Sequence, residues 1–308
     1  VKKRSMTVPV GKVSIMRMYP ITFREFLRAT DAKTFRYVED LQKAEHLPEI
    51  VFNKLKTEYR RYLVCGGMPE AVISLLDNRG MEAVEQVQQD ILDLYELDFA
   101  KYATPREIPR IHAIWHSLPS QLAKENRKFV YKVVRPGARS KDYEDALLWL
   151  EDAGMIYRVL NITKPGLPVS AYEDPTAFKV YACDCRLARL PATVVLNANA
   201  NYTEFKGSMA ENAVLQSLLP LMKDDVPHYW SPDSRAEIEF ILQWGEEVIP
   251  VEVKAENCVS GRSLSVYHEK YRPKERIRFS FLNLQYNEGL LSCPSPLADW
   301  FYRFLSPT

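Results

Sequence analysis

Two apolar strands with charges set into them constrain this chain more than any other stretch. Ala236-Glu237-Ile238-Glu239-Phe240-Ile241-Leu242 and Val248-Ile249-Pro250-Val251-Glu252-Val253-Lys254 flank a tight turn at Trp244-Gly245. Two such runs pair as an antiparallel hairpin. Side chains alternate along a strand, so Glu252 and Lys254 share one face while Val251 and Val253 share the other. On the partner strand Glu237 and Glu239 lie opposite Ile238, Phe240 and Leu242. Turning the apolar faces to a core brings Glu239, Glu252 and Lys254 together. Burial of such groups is costly unless they pair with one another or hold a metal, and both outcomes are open at this point. Glu211, at the head of the apolar helix Ala213 to Leu219, is placed to reach the same cluster. Hard oxygen ligands of this kind suit Mg²⁺. The candidate metal set is therefore Glu211, Glu239 and Glu252. Such an ion would activate a water and stabilise charge on a phosphodiester, with Lys254 orienting the nucleophile.

A chain of 308 residues exceeds the length at which one core keeps growing, so two or three domains are expected. Alternation at Val13, Ile15, Arg17 and Tyr19 predicts a strand. Thr22 then caps a helix, with Glu25 three residues on. From 48 to 104 the spacing is helical: one helix opens at Pro48, Cys65-Gly66-Gly67-Met68-Pro69 breaks it, and further helices run over 69–76 and from 81 to about 102. Ile108 to Leu118 predicts a helix, 120–124 a short separate piece, and 141–153 a third helix stopped by Gly154, with a strand over 155–161. Short helices followed by strands outline a winged helix-turn-helix. Residues 162–177, rich in Pro and Gly, read as a connector. The remainder alternates as α/β, with strands near 178–183, 226–231, 236–243, 247–254 and 276–282 and helices near 208–222 and 261–272.

The net charge of +1 gives no global field towards nucleic acid, so any DNA contact must be local. One such patch holds Arg127, Lys128, Lys132, Arg135, Arg139 and Lys141, interleaved with Phe129 and Tyr131, the footprint expected for phosphate contact. Against it stand Asp142, Glu144, Asp145, Glu151 and Asp152 on the presumed recognition helix. DNA contact, protein contact and a purely structural role all stay open. His112 and His116 have metal-ligand spacing but lack the glutamate of HExxH, and a surface or core role is expected for them. Five cysteines without a CxxC pair fit free thiols in a reducing cytoplasm, and Cys183-Asp184-Cys185 lacks the second half of a zinc site. The longest apolar runs are too short to span a bilayer. The chain opens on Val1 with no apolar segment after its basic start, as expected of a fragment without a signal peptide.

Gly207-x-x-x-Glu211-Asn212, Tyr229-Trp230-Ser231, Glu237-Ile238-Glu239-Phe240 and Pro250-Val251-Glu252-Val253-Lys254 resemble the C-terminal domain of unknown function attached to many bacterial and archaeal AAA-type ATPases, a relative of the PD-(D/E)xK restriction-endonuclease-like fold. Upstream, Pro9-Val10-Gly11-Lys12-Val13 and Tyr19-Pro20-Ile21-Thr22-Phe23-Arg24-Glu25-Phe26-Leu27 are similar to the segment after the ATPase sensor strand. Gly66-Gly67-Met68-Pro69-Glu70 resembles the family's glycine-glycine-x-proline turn. Trp149 to Ile156 resembles the end of its winged helix, and Phe178-Lys179-Val180-Tyr181-x-x-Asp184 the start of its nuclease-like fold. Two departures stand out. No G-x-x-x-x-G-K-[ST] occurs, so ATP would belong only to a full-length parent. Glu239 stands where the family usually has Asp, one methylene longer.

The resemblance implies a multidomain α and α/β chain. The end of an ATPase core and a helical lid-like region occupy 1–105, a winged helix 106–165, and a restriction-endonuclease-like domain with a mixed central sheet 166–308. It implies a cytoplasmic, DNA-associated part of an AAA-type ATPase with a Mg²⁺-dependent phosphodiesterase site at Glu211, Glu239, Glu252 and Lys254. The alternative is a catalytically degenerate domain that binds DNA or a protein partner.

Overall fold

The computed structural model describes residues 14, 16–123, 128–187, 203–223, 225–233, 236–255 and 261–305. Thr22 opens α1 (Phe23–Thr30) with a complete capping box: its hydroxyl accepts from the Glu25 N–H, and the Glu25 carboxylate accepts from the Thr22 N–H. Phe23, Phe26 and Leu27 are fully buried along one face. After α2 (Ala32–Glu39) come α3 (Glu49–Cys65), α4 (Pro69–Leu76) and α5 (Met81–Tyr102), the three helices that the spacing predicts. Arg17 and Tyr19 lie in no strand, and Val13 and Ile15 fall outside the described residues. The backbone there is engaged differently: the Ile21 N–H donates to the Gly67 carbonyl at 2.7 Å, and the Ile21 carbonyl accepts from the Tyr62 hydroxyl at 2.8 Å.

That close approach explains the Gly-Gly break. Gly66 has φ +73°, and a Cβ on Gly67 would lie 2.2 Å from the Ile21 carbonyl oxygen. Only glycine adopts the first cheaply, and only glycine leaves room at the second. Pro69 then starts α4 at a position where its missing N–H costs nothing.

The next helices are α6 (Ile108–Leu122), α7 (Tyr131–Val134) and α8 (Ser140–Asp152). The separate piece expected at 120–124 is instead the tail of α6 as far as Leu122. Pro119 sits inside the helix without ending it, and burial of Leu118 and Leu122 on either side of it offsets the lost backbone bond. Gly154, at φ +71°, stops α8. Strand β1 (Ile156–Ile162) pairs antiparallel with β2 (Glu173–Ala182). The second strand begins well before residue 178, because Glu173 and Asp174 return to Ile162 and Asn161 beyond a register shift. The expected boundary at 165/166 thus falls in the loop between two paired strands.

A helix α9 (Thr203–Leu218) leads to β3 (His228–Asp233), β4 (Ala236–Trp244), β5 (Glu247–Val253), α10 (Arg262–Tyr271), β6 (Arg276–Ser280), β7 (Gln285–Asn287), β8 (Leu290–Pro294) and a 3-10 segment Ser295–Arg303. The sheet is mixed, with strand order β2-β1-β3-β4-β5-β6-β8-β7; β5, β6 and β8 run parallel while β3, β4 and β5 are antiparallel neighbours. One face carries α9 and the C-terminal segment: Ala213, Val214, Leu297 and Phe301 share a core with Phe240, Val251 and Val253, and that core continues into α1 and α3. The other face carries α10, whose Leu264 and Tyr267 pack with Trp230, Ile238 and Ile241. A second core joins α6 and α8 to β1, β2 and the C-terminal half of α5. Helices plus a mixed sheet agree with the expected α and α/β class. Among the described residues no helix is long and apolar enough to cross a membrane.

Candidate functional site

Strands β4 and β5 form the expected hairpin, with Phe240 opposite Val251 and Leu242 opposite Ile249 and Gly245 at φ +61° in the turn. The β3–β4 pairing shifts register twice, and the shift between His228 and Trp230 breaks the alternation along β4. His228 faces Ile241 and Trp230 faces Ile238, so two steps along β3 match three along β4. This is a β-bulge at Glu239-Phe240, which re-aims a side chain. As a consequence Ile238 packs with Ile241 on the α10 face, while Phe240 and Leu242 pack on the α9 face. The single apolar face expected for Ile238, Phe240 and Leu242 is corrected accordingly.

Glu239 is nearly buried, and its carboxylate takes the Val253 backbone N–H at 3.1 Å. Burial pushes its pKa up, aided by Glu252 and Glu237 and opposed by Lys179 and Lys254. Glu252 is 1% exposed. Its two oxygens face two cations: Lys254 Nζ lies 3.1 Å from Oε1 and Arg278 Nε 3.0 Å from Oε2. The arginine contact is a hydrogen bond. The lysine contact is an ion pair without hydrogen-bond geometry, which leaves Oε1 a buried oxygen lacking a donor. Gly261, just before α10, permits this packing, because a Cβ there would lie 1.7 Å from the Arg278 guanidinium.

Lys179 and Arg278 complete the cluster, and neither is among the residues singled out in the sequence as candidate site groups. Lys179 is fully buried, paired with Glu237 at 2.5 Å and set 5.1 Å from the Tyr229 ring centre. Arg278 stands beside Glu252 in the parallel β5–β6 register. The signal was present: each is a cation set between two apolar residues, Phe178-Lys179-Val180 and Ile277-Arg278-Phe279.

Glu211 takes a different partner. It is buried and accepts from the Tyr181 hydroxyl at 2.8 Å, while the adjacent Asn212 clamps both backbone polar groups of Ala182. A Mg²⁺ ion bound by three carboxylates needs each oxygen about 2.0–2.1 Å away. Among the described residues, Glu211, Glu239 and Glu252 do not form a group with ligand atoms mutually within 4.8 Å. Lys254 and Arg278 already neutralise the most buried of them. As arranged, these residues do not fit a shared ion.

In the α6–α8 region, Lys132, Arg135, Arg139 and Lys141 are exposed around the Pro136-Gly137 turn between α7 and α8, whereas Lys128 is half-buried. Its backbone forms a bridge to Lys179. Arg127 lies outside the described residues. Two of the five acids expected to repel phosphate are already paired: Arg158 binds Glu144 at 2.8 Å and Glu151 at 2.7 Å, and Tyr131 also donates to Glu144.

The Cys183-Asp184-Cys185 stretch serves packing. Asp184 is fully buried and accepts from the backbone N–H groups of Gly67 (2.5 Å) and Arg186 (2.8 Å) and from Gln216 (3.2 Å). Burial drives the Cys183 thiol up to about 12 and the Cys185 thiol well above its ordinary value, which keeps both protonated and poor as metal ligands.

No curated protein and no solved structure matches the chain. Two families do. One match spans α3 to just beyond β2, and the other runs from α9 through β8, taking in Glu211, Glu239, Glu252, Lys254 and Arg278; the latter domain is found at the C-terminus of AAA-ATPase-like proteins. The chain thus carries a Domain of unknown function (DUF8612) over residues 56–196 and a Domain of unknown function (DUF4143) over residues 206–294.

Proposed function

We propose that this chain is the C-terminal region of an AAA-type ATPase in which a nuclease-like domain has become a binding module, with DNA as its partner. The observation that carries the reading is the position of Arg278. Its guanidinium is hydrogen-bonded to Glu252 where a metal-dependent phosphodiesterase would keep that carboxylate for the ion. With Lys254 on the other oxygen, the charge is balanced internally and the pair has no need of a cation.

DNA contact belongs to α7 and α8. The order helix, bridge-forming extended residue, short helix, helix and paired strands supports a winged helix, in which α8 is the recognition helix. Lys132, Arg135, Arg139 and Lys141 ring its N-terminal end, where phosphates also meet the positive end of the helix dipole. Arg158 removes the local repulsion of Glu144 and Glu151.

A second reading, a Mg²⁺-dependent nuclease using Glu239, Glu252 and Lys254, is favoured by one observation, the buried and donor-free Glu252 Oε1. One experiment separates the two. Supercoiled and linear DNA are incubated with the full chain and Mg²⁺ or Mn²⁺, and binding is followed by fluorescence anisotropy. The binding-module reading expects salt-dependent binding without nicking. Nicking that disappears in Lys254→Ala would establish the nuclease instead, and absence of binding even at low salt would remove DNA as the partner.

A further inference from the structure

His112 and His116 lie one turn apart on α6, and the fold supplies the third group that the sequence spacing lacks. Glu96, from the neighbouring α5, places Oε2 3.9 Å from His112 Nδ1 and Oε1 3.7 Å from His116 Nε2. The three ligand atoms all fall within 4.8 Å of one another, the one such group found among the described residues. These separations are too long for hydrogen bonds. They are slightly wider than the roughly 3.3 Å expected between ligands that sit about 2.0–2.1 Å from one tetrahedral ion, a difference that side-chain rotation closes.

We propose that Glu96, His112 and His116 bind a single first-row divalent transition-metal ion of the zinc type, which clips α5 to α6. The donor set decides the ion. Two imidazoles and one carboxylate suit Zn²⁺, Co²⁺ or Ni²⁺ and disfavour Mg²⁺, which prefers an all-oxygen shell. The carboxylate brings a negative charge to the dication and the imidazoles bring nitrogen lone pairs. The rings are pre-arranged, since His112 and His116 are stacked with centroids 6.0 Å apart and the Phe99 ring meets His112 edge-on at 5.1 Å. His116, at 48% side-chain exposure, leaves the group reachable from solvent. Ala113 follows His112 where a hydrolytic HExxH helix would carry its general base, so the ion acts as a clip. The helix it secures matters, because the C-terminal half of α5 and α6 share the core that carries α8.

The test uses the metal-free full chain. Zn²⁺ is titrated by calorimetry and Co²⁺ by its visible ligand-field absorption, for the wild type and for Glu96→Gln and His116→Asn. The expected result is one ion per chain, a rise in melting temperature with Zn²⁺, no displacement by millimolar Mg²⁺, and affinity at least about tenfold weaker in each variant. Wild-type protein that takes up no Zn²⁺, or variants that bind as tightly as wild type, would overturn the site. If His116→Asn loses helical signal in the absence of metal, Glu96→Gln decides the question.

Discussion

Asp184 and Glu252 are both buried carboxylates in strand-end segments, yet the fold treats them in opposite ways. Asp184 is held by neutral donors: two backbone N–H groups and a glutamine amide. Those donors come from the α3–α4 turn, its own segment and α9, so one side chain ties three parts of the molecule together. Gln216 extends the hub to Tyr62 and Cys185, and Gln88 extends it to Val64, Cys65 and Arg186. Glu252 instead meets two full charges, and one of its oxygens still lacks a hydrogen bond. A cluster satisfied by fixed neutral dipoles locks architecture. A cluster balanced by charged side chains and left one donor short carries an electrostatic cost that the neutral hub avoids. The contrast teaches that burial of charge in this chain has two separate causes.

The largest expected effect comes from dismantling the hub. Asp184→Ala orphans the Gly67 and Arg186 N–H groups together with the Gln216 amide, at a cost of about 3–5 kcal/mol read by urea unfolding. Gly67→Ala should match it, because its new Cβ meets the Ile21 carbonyl oxygen at 2.2 Å, backbone that cannot swing aside, as well as the Gln216 amide at 2.5 Å. If both variants lose less than about 1 kcal/mol, the hub is not what holds the helical half to the sheet.

Next comes the hairpin cluster. Arg278→Met strands Glu252 with Lys254 alone and should cost about 3 kcal/mol, whereas Arg278→Met combined with Glu252→Leu should recover most of that loss, because an apolar pair replaces an ion pair at little net cost. A double-mutant cycle measures the coupling. Were the double variant as unstable as the single one, Glu252 would be structural in the manner of Asp184, and the distinction between the clusters would collapse.

Asp299 offers a third lever, since it belongs with Asp184 by environment. Burial raises its pKa from the ordinary aspartate range to about 7, with hydrogen bonds from the Arg24 N–H and Thr22 only partly opposing the shift. A carboxyl raised on folding is protonated in the native state while the unfolded chain is already ionised. Its contribution is therefore intact below about pH 4 and is lost as pH climbs towards 7. Stability should fall by up to about 1.4 kcal/mol per pH unit across that window. Asp299→Asn should flatten the slope between pH 5 and 7 in thermal melts; an unchanged slope would assign it to Asp184, whose pKa burial also raises.

What could be read in advance follows the range of the forces involved. Capping at Thr22, the helices from Glu49 to Tyr102 and the β4–β5 hairpin depend on neighbours within a few residues, and periodicity reveals them. The bulge at Glu239 depends on pairing with β3 and leaves no mark in β4 itself. Asp184 meets Gly67 across 117 residues of chain, so the Gly-Gly turn was visible as a break but its purpose was not. The same holds for Arg278, whose charge was legible while its partner was set by a parallel register. Residues 285–303 carry short strands and a 3-10 segment without a clear period, and they gave no sequence signal of their own.

The smallest effect on stability should come from the exposed cations, which share in neither cluster. Replacing Lys132 or Arg135 by Ala removes a charge that solvent already screens, so unfolding should shift by no more than about 0.5 kcal/mol. DNA affinity should respond in a different coordinate. Each lost phosphate contact should lower the slope of log K against log salt by about 1, without changing sequence preference. Arg158→Met sharpens the point, because it leaves both cations in place and frees Glu144 and Glu151 beside them. Binding that weakens in Arg158→Met while its salt slope stays the same would mean that local repulsion has returned with the phosphate contacts intact. Binding unaffected by all three replacements would exclude α7 and α8 as the proposed DNA surface, and the eight-stranded sheet would be the next place to test.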